Sequence, residues 1–337
     1  MYRLCVIEGD GIGKEVIPEA VKVLRAILPD MEVIPAFAGW EYFQQYGESV
    51  PNETLNIVRE CGAALFGAVS SPSQKVTGYR SAIITLRLSL DLYSNIRPVR
   101  SLPVISPRPD VDMVIVRENT EGLYSGRERL EGDTAIAERV ITRHASERIA
   151  QRAIDLIKSG NRKRLTIVHK ANILPISDGL FRDCVREIVS KNIERLVVDE
   201  LLVDTAAMKI ISEPDKLDVL VTTNLFGDIL SDEAAYWGGG MGLAPSLNWG
   251  DGIGIAEPVH GSAPDIAGKG IANPIAAILS AAMLIRYLWK LPDEASCIEM
   301  AVNSALFNGL LVENNRLSPN IKTENITHAI LDRLTQH

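Results

Sequence analysis

EGDGIGKEV, residues 8–16, follows the apolar run LCVI (4–7), which has the composition of a strand, and opens a stretch of helical period over 14–27. A Rossmann-type dinucleotide fold would place G-x-G-x-x-G at this junction: one glycine makes the turn, one admits the pyrophosphate and one lets helix pack on strand. Gly9, Gly11 and Gly13 put the third glycine one position early. The stretch therefore reads as a tight glycine turn entering a helix, and a nucleotide would need its main support further along the chain.

Outward from that turn, short Val-, Ile- and Leu-rich runs alternate with helical stretches, the pattern of an α/β protein with a largely parallel sheet. Strands are expected at 4–7, 63–66, 111–116, 165–169, 195–198 and 218–223, and helices at 14–27, 81–90, 145–158, 177–191, 225–236, 274–289 and 323–335. PVRSLPVISPRPDV (98–111) holds four prolines and reads as a crossing between domains, with the glycine-rich 238–254 as the return.

At 337 residues, 46% hydrophobic and 23% charged, the chain has enough apolar material for two domains. Its net charge of -8 argues against nucleic acid or an anionic membrane as the main partner, since either needs a basic face. Cys5, Cys61, Cys184 and Cys297 form no C-x-x-C pair, so neither a zinc knuckle nor a disulfide framework is indicated, which suits a reducing compartment. MYRLCVI runs straight into the glycine turn without the pattern of a secretory signal. IAAILSAAMLI (275–285) is shorter than the roughly 18 residues of a spanning helix. The sequence reads as that of a cytoplasmic protein.

In open α/β sheets ligands bind beyond the carboxyl ends of the strands. Polar residues gather there: Arg117 follows VDMVIV, Lys170 follows LTIVH and Asn224 follows DVLVTT, which points to one shared cleft. In NLFGDILSDEAA (224–235), Asp228 and Asp232 are four apart, so on a helix their carboxylates share a face. Hard oxygen donors so placed suit Mg2+ or Mn2+, although an acidic first turn that complements the helix dipole would look the same. Lys170 in HKAN (169–172) is a solvated strand cap, or a base where its surroundings disfavour the ammonium. Arg87, Arg97 and Arg117 are surface salt-bridge formers, or planar forks for a substrate with more than one carboxylate; their places near strand ends favour the fork. HGSAPDIAGKGIANP (260–274) is rich in small residues, so a flat ligand could approach its backbone, and a buried structural turn would look similar. The Asp265 carboxylate suits a ribose diol and repels a 2′-phosphate, which selects NAD over NADP.

Together GDGIG, LRLSLDLYSNIRP (86–98), VRENTEGLY (116–124), HKAN, VDTAAM (203–208), NLFGDILSDEAA and EPVHGSAPDIAGKGIANP (257–274) resemble, in order and over nearly the whole chain, the β-decarboxylating dehydrogenases. That family contains isocitrate, isopropylmalate, homoisocitrate and tartrate dehydrogenases. The resemblance implies a two-domain isopropylmalate/isocitrate dehydrogenase-like α/β fold with a mixed, largely parallel sheet, not a Rossmann domain. It implies a nucleotide-binding domain of 1–98 plus 252–337, and a domain of 99–251 for substrate, metal and dimerisation. NAD is implied to lie on Ile12, His260, Gly261, Ser262, Ala263, Asp265, Ile266 and Asn273, and Mg2+ or Mn2+ on Asp204, Asp228 and Asp232. Arg87, Arg97, Arg117 and Asn172 are implied to contact the hydroxy acid, with Lys170 as base and Tyr124 as acid. Lys170 and Asp204 are implied to reach in from the partner subunit of a homodimer or dimer of dimers. Relatives that use NADP tend to carry Lys-Tyr where this chain has Asp265 and Ile266.

AVSSPSQKVTGYRSAIITLR (68–87) lies where the family discriminates the substituent on C3, and its S-P-x-x-K-V-x-G-Y frame resembles homoisocitrate dehydrogenases. Ser71, Lys75, Tyr79 and Arg80 are candidate partners for a γ-carboxylate, and Ile83 and Ile84 form a candidate apolar wall. Homoisocitrate is the expected substrate, then isopropylmalate, then isocitrate. Regulatory subunits within the family typically lose a metal aspartate, the lysine or the tyrosine, and all are present here. SPNIKTENITHAI (318–330) departs from the Gly-Gly-containing tail usual in relatives, which bears on the packing of the tail and its approach to the adenosine.

Overall fold

The computed structural model describes residues 1–74, 76–192, 196–307, 311–313, 316–318 and 321–334; Lys75, and the end residues 195 and 335 of two expected elements, lie outside them. Two compact units divide the chain, one formed by Met1–Leu92, Ser101–Pro109 and Trp237–His337, the other by Tyr93–Arg100 and Asp110–Tyr236.

The first unit begins β1 (Arg3–Gly9), α1 (Gly13–Ile27), β2 (Glu32–Pro35), α2 (Trp40–Tyr46), α3 (Asn52–Cys61), β3 (Ala63–Ala68), α4 (Ala82–Ser89). The second contains β4 (Ser94–Arg100), β5 (Asp112–Glu118), the hairpin β6 (Glu128–Glu131) and β7 (Thr134–Ala137), α5 (Arg143–Gly160), β8 (Arg164–His169), α6 (Ser177–Asn192), β9 (Val197–Leu202), α7 (Val203–Ser212), β10 (Val219–Thr222) and α8 (Asn224–Ala235). The chain then completes the first unit with β11 (Pro245–Trp249), β12 (Gly254–Pro258), α9 (Ile275–Tyr287), α10 (Pro292–Phe307), the short pair β13 (Val312–Glu313) and β14 (Arg316–Leu317), and α11 (Thr323–Leu334).

In the first unit the strands run β2-β1-β3-β12-β11, all parallel except β11 against β12. Alternation along the strands sends Cys5, Ile7, Ala64 and Phe66 to one face, where they meet Leu55 and Val58 of α3 and Ala82 and Leu86 of α4. α1 and α9 also pack on this sheet. α9 is apolar almost all round, and Ile275, Ala276, Ala277 and Ile278 are fully buried, so the IAAILSAAMLI run is a core helix. Among the described residues no helix is long and apolar enough to cross a membrane.

In the second unit the order is β4-β5-β10-β8-β9, with only β4 antiparallel. Both sheets are thus mixed and mostly parallel. The unit limits differ from the expected domain limits for a reason of pairing. β4 pairs with β5 along its whole length and belongs with it, while β11 pairs with β12 and so lies in the first unit.

Candidate active site

Register places the functional ends of the second unit's strands level with one another. Thr222 pairs with Arg117 and with Val168, and His169 pairs with Leu202. Arg117, Lys170, Asp204 and Asn224 therefore emerge at one edge, the carboxyl end expected for ligands.

Arg117 is 1% exposed, and its Nε and Nη2 donate to Asn224 Oδ1 at 3.1 and 2.8 Å. Its Nη1 donates to Asp228 Oδ1. Arg97, from β4, donates through Nη1 to Asp232 Oδ1 at 2.9 Å and to Ser231 Oγ at 2.7 Å, and its Nη2 lies 3.4 Å from Asp228 Oδ1. Tyr124 donates its hydroxyl to Asp228 Oδ2 at 2.6 Å, with the Arg117 guanidinium 5.1 Å from its ring centroid. Two arginines, two aspartates and a phenol form one network.

α8 starts at Asn224 and has no acidic residue in its first turn. Asp228 and Asp232 occupy later turns, which rules out the acidic-first-turn reading; they face arginines, not free N–H groups. Burial pushes the Asp232 carboxyl above its usual range, against the nearby Arg97, while Asp228 adds to the rise. Burial also pushes the Tyr124 phenol up, helped by its hydrogen bond to Asp228 and opposed by Arg117, so at neutral pH it holds its proton.

Gly227 lets the two elements meet: a Cβ there would lie 2.6 Å from Arg117 Cγ and 2.7 Å from its Cβ. Nothing in NLFGDILSDEAA itself marks the glycine as necessary, since the neighbour that requires it lies on β5.

Lys170 Nζ pairs with Asp204 Oδ1 of the same chain, which holds the Asp204 carboxyl below its usual range. The Lys170 backbone N–H donates at 2.6 Å to Asp178, a fully buried carboxylate that also accepts from Arg139. Asp178 was missed by sequence reasoning, and its position in an ordinary acidic first turn explains why. Asn172 is exposed. Among the described residues, no three His, Cys, Asp or Glu side chains of one chain gather to hold a metal, so Asp204 does not complete the Asp228–Asp232 pair within the chain.

The first unit holds the remaining expected residues. Arg87 is buried and donates to Asn248 Oδ1 and Glu257 Oε1, both at 2.9 Å. The glycine turn and the 260–274 loop are stitched together: Ile12 N–H donates to Ser262 O at 2.9 Å, and a Cβ on Gly11 would lie 2.2 Å from that oxygen. His260 Nδ1 lies 3.0 Å from the Gly261 carbonyl, which can only accept; the proton therefore sits on Nδ1. Burial lowers the imidazole pKa and keeps the ring neutral, leaving a lone pair on Nε2 that has no partner among the described residues. Ala263 adopts a positive φ of 38°, and its carbonyl accepts from Ile266 and Ala267. Asp265 and Gly261 are exposed, and Asn273 Oδ1 accepts from Ile275 N–H at the start of α9. The divergent tail docks here, Thr323 N–H donating to Gly270 O at 3.0 Å.

Two residues of 68–87 have further partners in the structure. The Tyr79 hydroxyl donates to Ser70 O at 3.0 Å, and the ring stands edge-on to Trp40 and Phe43, so it anchors the loop. Ile83 and Ile84 are both half-buried, and Ile83 packs against the core cluster. Ser71 and Arg80 are exposed, and a hollow of about 480 Å³ is lined by Ser71–Gln74 and Val76–Tyr79.

A mixed α/β sheet with an arginine–aspartate–tyrosine network at its strand ends, and a small-residue loop stitched to a glycine turn, has the parts of a dehydrogenase acting on a carboxylated substrate. The chain belongs to the isocitrate/isopropylmalate dehydrogenase family, whose model matches residues 3–330. It is 52% identical over 333 residues to an isocitrate/homoisocitrate dehydrogenase of Thermus thermophilus, covering 99% of this chain and 98% of that protein. It is 48% identical to a homoisocitrate dehydrogenase of Methanocaldococcus jannaschii, covering 98% of this chain and 97% of the relative. Among solved structures it matches isocitrate dehydrogenase from Methylococcus capsulatus with a TM-score of 0.93 and 40% identity, over 99% of both chains.

Proposed function

We propose that the protein catalyses the NAD-dependent oxidative decarboxylation of homoisocitrate to 2-oxoadipate, CO2 and NADH. The observation that carries this reading is the network in which Arg97, Arg117 and Tyr124 converge on Asp228 and Asp232. It presents fixed cations for substrate carboxylates and a phenol that retains its proton.

The all-oxygen set of Asp228 and Asp232 on one helix face fits a hard divalent ion. Asp204 of a second subunit would complete it. Mg2+ or Mn2+, when bound, would polarise the substrate oxygen on C2. The 260–266 segment fits an adenine dinucleotide, because the free lone pair of His260 Nε2 matches an exocyclic amine and the exposed Asp265 matches a ribose diol. NAD, when bound, would accept the hydride.

The chain's own groups supply the rest. Arg87, Arg97 and Arg117 orient the malate carboxylates through planar N–H pairs. The partner subunit's Lys170, or a water it activates, takes the hydroxyl proton. After CO2 leaves, Tyr124 Oη delivers a proton to the carbon that carried it.

For the C3 substituent, exposed Ser71 and Arg80 offer the γ-carboxylate of homoisocitrate polar partners, and the names of the two relatives support that choice. Isopropylmalate is the second reading, favoured by the half-buried Ile84, which suits an isopropyl group. Steady-state kinetics on homoisocitrate, isopropylmalate and isocitrate with NAD and Mg2+ test the order. A kcat/KM for isopropylmalate well above that for homoisocitrate would reject it.

A further inference from the structure

Ser70 stands at a junction of the first unit that the proposed chemistry leaves unused. Its backbone N–H donates to Asp10 Oδ2 at 2.9 Å, its carbonyl accepts from the Tyr79 hydroxyl at 3.0 Å, and its Oγ donates to Ser262 Oγ at 2.8 Å. Each bond leads to a different segment. Asp10, in the GDGIG turn, is 1% exposed and also accepts from the N–H groups of Trp40 and Glu41 at 2.8 and 3.0 Å. A Cβ on Gly39 would lie 2.7 Å from Asp10 Oδ1, so that glycine is what lets α2 come so close. From α2, Trp40 and Phe43 grip the Tyr79 ring, with centroids 4.9 and 5.0 Å away. The loop lining the 480 Å³ hollow is therefore held at both ends, at Ser70 and at Tyr79. Ser262, the third partner, accepts the Ile12 N–H and lies in the proposed nucleotide segment.

We infer that Ser70 is a positioning residue that couples the 260–266 segment to the 71–80 loop, so that dinucleotide and substrate each strengthen the binding of the other. The physical basis is shared ordering. A ligand that fixes Ser262 fixes the partner of Ser70 Oγ, and a loop already ordered costs less to close around a second ligand. Such coupling is reciprocal by linkage. The inference rests on reading 260–266 as the nucleotide segment.

The test is the dissociation constant of NADH, followed by its fluorescence, with Mg2+ and with or without saturating homoisocitrate, a pair that cannot turn over. In the wild type, homoisocitrate should tighten NADH by about ten-fold. Ser70→Ala should bind NADH alone within about three-fold of wild type, the scale of one lost hydrogen bond, yet show a tightening of no more than about two-fold. Ser262→Ala should lose the coupling equally, the double variant no further, and Ser70→Thr, which keeps a hydroxyl, should retain it. Undiminished coupling in Ser70→Ala or in Ser262→Ala, or none in a wild type that binds NADH, overturns the inference. No fluorescence change with NADH in the wild type would instead overturn the nucleotide reading beneath it, a failure told apart by the first titration.

Discussion

Tyr124 is held between groups of opposite sign, Asp228 accepting from its hydroxyl and Arg117 lying over its ring. Phenylalanine keeps the ring and loses only the proton. Tyr124→Phe should therefore lower kcat by about a hundredfold or more, the usual scale for a lost general acid, while KM for homoisocitrate moves by less than about three-fold. A matched rise in KM with unchanged kcat would make the phenol a binding group instead. Gly227 tests the arginine. Ala at this position brings a methyl within 2.7 Å of two Arg117 side-chain carbons that have nowhere to retreat, since Arg117 is 1% exposed. Gly227→Ala should cost about 1–3 kcal/mol by overpacking and raise KM for homoisocitrate at least ten-fold as the guanidinium swings out of line, read by kinetics beside a denaturation curve. Strand-end position and i,i+4 spacing made Arg117 and Asp228 legible in the sequence. The glycine was not, because a helical glycine reads only as a weak point and the neighbour that demands it lies on another strand.

At the scale of elements, the segment between β5 and Tyr124 is tied to the start of α5. Thr142 Oγ1 accepts from Ala145 N–H at 3.1 Å, and its own N–H and hydroxyl donate to Glu121. Burial pushes the Glu121 carboxyl up to about 7, against the Thr142 amide, with Glu118 adding to the rise. A carboxyl raised above its ordinary 4.5 binds its proton more tightly folded than unfolded, so the stabilisation is complete below 4.5 and lost as pH rises through about 7. Glu121→Gln cannot ionise. Its melting temperature should exceed that of wild type by roughly 2 °C at pH 8, the shift of a change near 1 kcal/mol, and the advantage should vanish by about pH 4, below the ordinary 4.5. A constant gap across that range would remove the ionisation from the account. The buried parallel strands β1, β3, β5, β8 and β10 were legible because strands covered on both faces read as continuous apolar runs. β4, β11 and β12 were not, because Arg97, Asn248 and Glu257 interrupt the apolar runs with buried polar groups, satisfied by partners far away in sequence. β9 begins at Val197, two residues later than the run expected at 195–198, and carries Asp199 and Glu200, which pair with Arg164 and Arg186. α2, α3, α7 and α10 escaped the periodicity reading; α2 is only seven residues long, with Trp40 and Phe43 spent on the Tyr79 anchor.

For the whole molecule, no three His, Cys, Asp or Glu side chains gather among the described residues, so Asp204 does not join the Asp228–Asp232 pair within one chain, and Lys170 is paired to Asp204. Lys170 is half-buried and its ion-pair partner Asp204 is exposed, and large apolar side chains accompany them in the second unit. Ile173 and Ile176 are 66% and 87% exposed, and Met208 and Ile211 on α7 are 57% and 61%. Apolar surface of this kind is what a second subunit covers. In a two-fold dimer each chain would then lend its lysine to the aspartates of the other. Complementation decides the matter. Lys170→Met and Asp228→Asn should each be inactive as homodimers, but after mixing, unfolding and refolding together, half the dimers carry one of each. In those, one site has both altered residues and the other has neither, so activity should return to about one quarter of wild type. If lysine and aspartates served the same site from one chain, every site in the mixture would carry a lesion and no activity would return.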